Sequence, residues 1–276
     1  MSVNVIELRN NFKKPHRLLT TTDNKILFLR EWNPPTPSNA AILILHGITG
    51  YSELYDQPLA TPLSKANFSV FGLDLRGHGL SDGKRGDYKS KERVIKDLCE
   101  TISFLHKEYD QVIILGHSLG VLSSTIAINN CLGIIDGLVL LSAARKPREG
   151  VYKKMSVWLK LKILLSSIIF PSKPVARYYR EGVSGLDDPL RNFNYTLRFL
   201  KIFDAKTSTF PEDLNIPTLV GIGDQDELFE VDSARAMFNE IPSKKKSFIV
   251  IEGAKHAEFP EGCWKDLIEW LRTNFK

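Results

Sequence analysis

One serine of the chain lies in a sequence pattern that is typical of an activated nucleophile. Residues 116–120 read Gly-His-Ser-Leu-Gly, the G-x-S-x-G pattern, and they stand between an apolar run and a helical pattern. A turn from strand to helix strains the serine backbone here, and the flanking glycines let neighbouring chain approach without a Cβ clash. The pattern therefore predicts that Ser118 presents its hydroxyl at the edge of a sheet, where it can attack a carbonyl carbon.

A serine hydroxyl is a weak nucleophile, so it needs a general base and a carboxylate that orients this base. His256 is the only histidine after Ser118, and it follows a short apolar run. For the carboxylate, the predicted strand 218–222 runs into a loop that contains Asp224 and Asp226. We favour Asp226, which lies further into the loop and can bend toward His256. Asp224 is expected to hydrogen-bond the backbone of the turn.

Acyl transfer also needs hydrogen-bond donors for the oxyanion that forms on the substrate. The sequence His-Gly-Ile-Thr-Gly at 46–50 ends another apolar run, and its glycines allow a backbone amide to turn inward. We expect the N–H groups of Ile48 and Leu119 to be the donors. The amide of Leu119 would lie at a helix N-terminus, where the helix dipole favours negative charge. The alternative for 46–50 is a tight turn without a catalytic role.

Strands and helices alternate along most of the chain. Apolar runs predict strands over 26–32, 40–45, 69–74, 112–115, 137–141, 218–222 and 248–251. Helical spacing predicts helices over 90–109, 118–130, 233–240 and 263–274. This alternation predicts an α/β fold with a mostly parallel central sheet and helices on both faces. The stretch 142–217 has helical character without a convincing strand, which indicates an insertion at the carboxyl edge of the sheet.

The composition is that of a folded globular protein. The chain has 276 residues, of which 43% are hydrophobic and 25% are charged, and its net charge is +5. The basic charge is local, because residues 145–174 contain eight Lys or Arg and one Glu. No zinc-finger, RRM, KH or basic-zipper pattern accompanies this charge, so we expect no nucleic-acid partner.

The cysteines and the N-terminus bear on the cellular compartment. Three widely spaced cysteines, Cys99, Cys131 and Cys263, make a disulfide framework or a zinc site unexpected and fit a reducing compartment. The N-terminal sequence lacks the apolar run of a signal peptide. The most apolar stretch, 155–170, contains two lysines and is shorter than the ~20 residues that span a bilayer. We therefore expect a cytoplasmic protein.

Five segments together are similar to the monoacylglycerol lipase and lysophospholipase branch of the α/β-hydrolase superfamily, to which serine aminopeptidases of the S33 type are related. They are HGITG at 46–50, DLRGHGLSDGKRG at 74–86, GHSLG at 116–120, GDQDEL at 223–228 and GAKHAEF at 253–259. The resemblance extends from Ile26 to the C-terminus. It is weakest in the insertion, which in that family is a lid over the active site.

The resemblance implies an α/β-hydrolase fold and a specific active site. It implies a catalytic triad of Ser118, Asp226 and His256, in the chain order Ser, Asp, His of these enzymes. It also implies an oxyanion hole made by the amides of Ile48 and Leu119. Within 74–86 it implies a scaffolding role for Asp74, Arg76, His78 and Ser81.

The insertion contains one strongly apolar helical pattern, within residues 151–170. Its narrow polar stripe consists of Lys153, Ser156, Lys160 and Ser167. We expect this helix to pack on the core as part of a lid, with Trp158, Leu161 and Leu165 lining an acyl pocket. Transient contact of the lid with a lipid or micelle surface, helped by nearby Lys and Arg, is compatible with that packing.

These expectations combine into one architecture and one reaction. Residues 1–143 and 214–276 would form an α/β-hydrolase core, and residues 144–213 a helical lid. The reaction would be hydrolysis of monoacylglycerols or similar short to medium acyl esters through an acyl-enzyme, without a metal or an organic cofactor. The alternatives are a lysophospholipase, a thioesterase, an aminopeptidase or a non-catalytic ligand receptor. An aminopeptidase is disfavoured because the basic insertion offers few acids to hold a substrate amine. The oligomeric state is left open.

Overall fold

An eight-stranded sheet forms the centre of the computed structural model, which describes residues 4–151, 156–178, 185–205 and 208–275. The strands in chain order are β1 (His16–Thr20), β2 (Ile26–Trp32), β3 (Ala40–Leu45), β4 (Ser69–Asp74), β5 (Gln111–His117), β6 (Gly137–Leu141), β7 (Ala176–Arg177), β8 (Asn194–Tyr195), β9 (Thr218–Gly223) and β10 (Lys246–Ile251). The sheet has the order β1-β2-β4-β3-β5-β6-β9-β10, and β7 and β8 form a separate hairpin. Strand β2 runs antiparallel to β1 and β4, whereas the other pairs of the sheet are parallel.

Helices cover both faces of this sheet. The α-helices of the described residues, in chain order, are α1 (Val5–Asn10), α2 (Thr61–Lys65), α3 (Lys91–Leu105), α4 (Leu119–Cys131), α5 (Val157–Ile169), α6 (Leu197–Ile202), α7 (Val231–Glu240) and α8 (Lys265–Asn274). Leu43 and Leu45 of β3 pack in one core cluster with residues of α3 and α4. Ile42 and Ile44 pack in a second cluster with residues of α2 and α8, because successive side chains of a strand point to opposite faces. The predicted α/β fold, with a mostly parallel sheet between two helical layers, is confirmed.

The hydrophobic pattern located most strands of the sheet and the longer helices, and it missed β1, α1 and α2. The predicted strands 26–32, 40–45, 69–74 and 137–141 coincide with β2, β3, β4 and β6. The helix predicted over 90–109 begins after its N-cap, Ser90, and ends earlier, at Leu105. Strand β1 was missed because it lies at the edge of the sheet, where its residues are exposed or half-buried and form no apolar run. Helices α1 and α2 are too short to show a helical period.

A disulfide joins Cys99 of α3 to Cys131, the last residue of α4, with the two Cα atoms 5.9 Å apart. This corrects the expectation that the cysteines are unpaired. The two residues are 32 positions apart in the chain, and only the packing of α3 against α4 brings them together. Cysteine usage therefore does not argue for a reducing compartment. Cys263 is free and half-buried.

The segment from 144 to 213 connects β6 to β9 and contains α5, the hairpin β7–β8 and α6. The helical pattern predicted in this segment corresponds to α5, whereas the two-residue strands of the hairpin were not predicted. Lys153 and the side chain of Lys160, which the pattern placed in a polar stripe, lie outside the described residues. Across the part of the chain that is described, no helix has both the length and the apolar character needed to cross a membrane.

Candidate active site

Ser118 lies on the turn between β5 and α4. Its backbone has φ 55° and ψ −114°, a conformation that is unfavourable for a residue with a Cβ. A Cβ on Gly120 would lie 1.9 Å from the carbonyl oxygen of Leu45, and a Cβ on Gly116 would lie 2.3 Å from the hydroxyl of Ser124. The turn therefore requires glycine at both positions that flank the serine.

The side chains of Ser118, His256 and Asp226 meet at one edge of the sheet. His256 Nε2 lies 2.9 Å from Ser118 Oγ, and His256 Nδ1 lies 3.0 Å from Asp226 Oδ2. The three residues follow the parallel strands β5, β10 and β9, whose carboxyl ends share this edge. The structure thus brings together the three side chains that the sequence singled out. In this arrangement the imidazole can accept the serine proton while the carboxylate holds its other nitrogen.

The carboxylate of Asp226 is buried, with 1% of the residue exposed, and it accepts several hydrogen bonds. Its Oδ1 accepts from the amides of Leu228 at 2.8 Å and Phe229 at 2.9 Å. Burial alone would raise the pKa of Asp226, but the hydrogen bond and charge of His256, together with these amides, hold this pKa below its usual value. Asp226 is therefore an anion at neutral pH and can stabilise a protonated imidazole.

The other aspartate of this loop, Asp224, has a different contact. Its Oδ1 accepts a hydrogen bond from the amide of Gly253 at 2.7 Å. Asp224 thus joins the loop after β9 to the loop after β10, which is the kind of backbone contact expected for it.

Side-chain hydrogen bonds hold the main chain of His256 at both its carbonyl oxygen and its amide. His117 Nε2 lies 2.7 Å from the His256 carbonyl oxygen, and Glu227 Oε2 accepts from the His256 amide at 3.0 Å. Burial lowers the pKa of His117 to about 3, so this ring is neutral. Its Nε2 donates to the carbonyl, and its Nδ1 accepts from the Tyr55 hydroxyl at 2.8 Å. Sequence reasoning missed these residues, because the G-x-S-x-G pattern leaves position 117 open and no spacing distinguishes Glu227.

The two amides predicted to bind the oxyanion lie beside the serine. Leu119 is the first residue of α4, so its N–H has no acceptor within the helix. Ile48 lies in the turn after β3, where the amide of Gly47 donates to the hydroxyl of Tyr55 at 2.9 Å. Neither N–H has a hydrogen-bond acceptor among the described residues. Ser118, Leu119 and Ile48 line one common cavity.

Two cavities of ≈ 200 Å³ each open beside Ser118. The first is mainly apolar, and its walls include Leu119, Val121, Leu122, Ala143, Phe210, Leu228, Phe229 and Met237. The walls of the second are more polar and include Thr49, Tyr55, Tyr178, Arg191, Glu227 and Glu258. This division suits a substrate with an apolar and a polar part on the two sides of the reacting bond. Within the described ranges, no group of three or more His, Cys, Asp or Glu side chains is arranged to hold a metal ion.

The segment 144–213 contributes to both cavities, but no described side chain of α5 does. Its lining residues are Ala144, Arg145, Pro147, Tyr178, Arg191, Ala205, Ser208 and Phe210. Trp158, Leu161 and Leu165, which were expected to line an acyl pocket, are 81%, 44% and 53% exposed on α5. None of the three is part of the described walls of either cavity. The helical period showed that α5 has an apolar surface, but it could not show which way this surface faces.

The side chains of the 74–86 segment form hydrogen bonds and ion pairs with residues of the core and do not line either cavity. The carboxylate of Asp74 accepts from the amide of Ser52 at 2.7 Å, and burial raises its pKa to about 6. The hydroxyl of Ser81 donates to the Asp74 carbonyl oxygen at 2.5 Å. Arg76 forms an ion pair of 2.7 Å with the buried Asp97 of α3. These contacts are those of a structural scaffold.

Known proteins resemble the chain over most of its length. The model of the family described as serine aminopeptidase, S33, matches residues 36–262. The monoglyceride lipase of Rattus norvegicus is 28% identical over 262 residues, which cover 90% of this chain and 85% of that lipase.

The fold is shared with solved structures, among them two lipases. The crystal structure of Paleococcus ferrophilus monoacylglycerol lipase has a TM-score of 0.69 at 24% identity and covers 90% of this chain and 99% of its own. A soluble variant of monoglyceride lipase from Saccharomyces cerevisiae, in complex with a substrate analog, has a TM-score of 0.74 at 15% identity. This match covers 96% of this chain and 97% of the yeast chain.

Proposed function

Since the chain belongs to the serine aminopeptidase S33 family, in its monoacylglycerol lipase-like branch of α/β-hydrolases, we propose that it is a serine carboxylic ester hydrolase. Its substrates would be monoacylglycerols or similar short to medium acyl esters. The observation that carries the proposal is the 2.9 Å contact between Ser118 Oγ and His256 Nε2 beside an apolar cavity. A hydrogen-bonded serine and histidine supply the nucleophile and base for acyl transfer, and apolar walls suit an acyl chain.

The proposed reaction proceeds in two steps through one covalent intermediate. Ser118 Oγ attacks the ester carbonyl carbon while His256 Nε2 takes the serine proton. Asp226 stabilises the imidazolium, and the amides of Ile48 and Leu119 donate to the oxyanion. His256 then gives its proton to the leaving alcohol. Water, deprotonated by the same imidazole, then attacks the carbonyl carbon of the acyl-enzyme. The bond from this carbon to Ser118 Oγ breaks, His256 returns the proton to the serine, and the acid is released.

The two cavities suggest how an ester would lie across Ser118. We assign the acyl chain to the mainly apolar cavity and the alcohol to the more polar one. In the second cavity Tyr178, Arg191 and Glu227 provide hydrogen-bonding groups within reach of a hydroxylated leaving group. The name of the rat relative, a monoglyceride lipase, supports a glyceride as the natural class of substrate.

We also propose that the 144–213 segment is a lid and that α5 contacts a lipid surface. Val157, Trp158, Ile168 and Ile169 of α5 are 79%, 81%, 69% and 68% exposed, which is unusual for so many large apolar side chains on one helix. Lys162 and Lys173 are exposed on and after the same helix. An apolar helix with basic neighbours suits a membrane surface that carries anionic lipids.

An ester panel tests the reaction and its substrate. We expect steady turnover of p-nitrophenyl esters from C2 to C16 with an optimum at short to medium length, and turnover of 1-monoacylglycerol above that of lysophosphatidylcholine. A fluorophosphonate should label the wild type and not Ser118→Ala. Cleavage of an aminoacyl p-nitroanilide in preference to every ester would indicate an aminopeptidase. Labelling without steady turnover would indicate a ligand receptor, and an active Ser118→Ala would refute the nucleophile.

A variant of α5 tests the lipid contact separately. Ile168→Glu should reduce hydrolysis of monoacylglycerol in vesicles that contain phosphatidylglycerol, and leave hydrolysis of dissolved p-nitrophenyl butyrate unchanged. Ile6→Glu on α1, where the isoleucine is 60% exposed, is the matched control and should change neither rate. Equal vesicle activity in the two variants would contradict the lipid contact.

A further inference from the structure

The turn that carries the Ile48 amide is held by two tyrosine hydroxyls. The N–H of Gly47, just before this amide, donates to the hydroxyl of Tyr55 at 2.9 Å. The carbonyl oxygen of Ile48, just after it, accepts from the hydroxyl of Tyr195. Tyr55 belongs to the core and Tyr195 to β8, so the 144–213 segment takes part in fixing this turn.

Tyr195 is a buried and permanent donor. Only 1% of the residue is exposed, and burial raises the pKa of its phenol well above the usual value, so the hydroxyl keeps its proton. The hydroxyl also lies 2.7 Å from the carbonyl oxygen of Asn192, and the single phenol proton is shared between two acceptors. The ring packs against Phe199 at 4.8 Å and against His78 at 6.0 Å between centroids. The position of the hydroxyl is therefore fixed by the ring as well as by its acceptors.

The backbone around Tyr195 is fastened to the core. The amide of Thr196 donates to the carbonyl of Gly86 at 3.0 Å, and the Thr196 hydroxyl donates to Asp87 at 2.8 Å. The two chains approach so closely that a Cβ on Gly86 would lie 1.9 Å from the carbonyl oxygen of Asn194. This part of the segment is thus a rigid support, in contrast to the exposed α5.

We propose that Tyr195 is a positioning residue that holds the Ile48 amide in the geometry required for oxyanion binding. The inference rests on the proposed function, because it needs an oxyanion formed at Ser118. Without the Tyr195 hydroxyl, the Ile48 carbonyl loses its donor and the turn is free to rotate about the bonds next to the amide. A donor that is already in place needs no reorganisation when the charge develops, and this is the source of its catalytic effect.

Loss of the Tyr195 hydroxyl should destabilise the transition state and leave the binding of the ester unchanged. The oxyanion exists in the tetrahedral states and not in the bound ester, so loss of positioning lowers kcat and leaves KM unchanged. For Tyr195→Phe we expect kcat on p-nitrophenyl butyrate to fall about tenfold, less than the loss of a whole oxyanion donor. Butylboronic acid forms a tetrahedral adduct with a serine, and its affinity should fall by about the same factor. The phenylalanine ring keeps the packing on Phe199, so the fold should persist.

Tyr88→Phe is the matched control. Tyr88 is a buried tyrosine that also packs on Phe199, but its hydroxyl accepts from the amide of Arg76. Its loss should lower Tm without changing kcat or the boronate affinity. Wild-type kcat in Tyr195→Phe, or a lower kcat with unchanged boronate affinity, would overturn the inference. If Tyr195→Phe gives one of these results while Ser118→Ala is inactive, the inference about Tyr195 fails and the proposed function stands. An active Ser118→Ala would remove the proposed function as well.

Discussion

Ser118 Oγ and His256 Nε2 lie 2.9 Å apart, although 138 positions separate the two residues in the chain. Two different local structures produce this contact. A strained turn between two glycines places the serine. His117 donates to the carbonyl oxygen of His256 and Glu227 accepts from its amide, and these hydrogen bonds place the main chain of the histidine. The geometry of the site therefore depends on backbone conformation on one side and on side-chain contacts on the other.

Backbone strain at Ser118 predicts an unusual order of stability. A φ of 55° costs a residue with a Cβ roughly 1–3 kcal/mol, whereas glycine adopts it without a clash. We expect the free energy of unfolding of Ser118→Gly to exceed that of Ser118→Ala by about 1 kcal/mol, as measured by urea denaturation. Both variants lack the hydroxyl, so their kcat on p-nitrophenyl butyrate should be ~10⁴-fold or more below wild type. An alanine variant as stable as the glycine variant would contradict the strain.

Close packing at Gly120 predicts that this position tolerates no side chain. In Gly120→Ala the new Cβ would meet the carbonyl oxygen of Leu45 at 1.9 Å, and a backbone atom cannot swing away as a side chain can. We expect a loss of about 3 kcal/mol or more in the free energy of unfolding, or no folded protein. Gly133→Ala is the control, because no described atom outside its own stretch of backbone lies within 4 Å of its added Cβ. Equal stability of the two variants would refute the packing argument.

The glycines on either side of Ser118 also show how far the sequence alone could predict the structure. The G-x-S-x-G pattern and the apolar run of β3 are local signals, and from such signals the turn at Ser118 and the central strands could be predicted. The Cys99–Cys131 disulfide and the contact of His117 with the His256 carbonyl join distant segments and have no local signature. The direction in which the apolar surface of α5 faces is set by packing between elements, which a helical period does not encode.

The contacts of the two loop aspartates predict that substitution by asparagine lowers kcat strongly at Asp226 and only slightly at Asp224. Asp226→Asn keeps the shape but removes the charge that stabilises the imidazolium on His256, so we expect kcat to fall by ~10⁴. In Asp224→Asn the amide oxygen can still accept from Gly253, and kcat should stay within about threefold of wild type. Steady-state hydrolysis of p-nitrophenyl butyrate measures both. A collapse of activity in Asp224→Asn alone would show that Asp224, and not Asp226, is the carboxylate of the triad.

The hydrogen bond from the His256 amide to Glu227 predicts a role for a side chain beside the triad. Glu227→Ala removes the acceptor, so the loop that carries His256 loses one of its constraints, and we expect kcat about tenfold lower. Glu227→Gln keeps an oxygen acceptor and should stay close to wild type in kcat. If the glutamine variant is as impaired as the alanine variant, the negative charge matters and not the hydrogen bond. Wild-type kcat in Glu227→Ala would exclude a positioning role.

The lowered pKa of Asp226 predicts how stability depends on pH. A carboxyl group whose pKa is lower in the folded than in the unfolded state stabilises the fold above the unfolded value, near pH ~3.9. This contribution is lost as the pH falls through the lower, folded value. The difference in Tm between wild type and Asp226→Asn should therefore be constant from pH 7 to about 5 and shift against the wild type below about pH 4.

Asp23 provides the control for this pH dependence, because it has the same direction of shift outside the site. Burial opposes the shift, but hydrogen bonds from Thr21 and Arg76 lower the pKa of Asp23 to about 2. Asp23→Asn should show the same pH profile of its Tm difference as Asp226→Asn, while its kcat stays at the wild-type value. A Tm difference for Asp226→Asn that does not change between pH 7 and pH 3 would mean that the folded and unfolded states hold this proton equally. The carboxylate would then gain nothing from His256 and the loop amides. That result would contradict the hydrogen bonds of 2.8 to 3.0 Å that the carboxylate accepts.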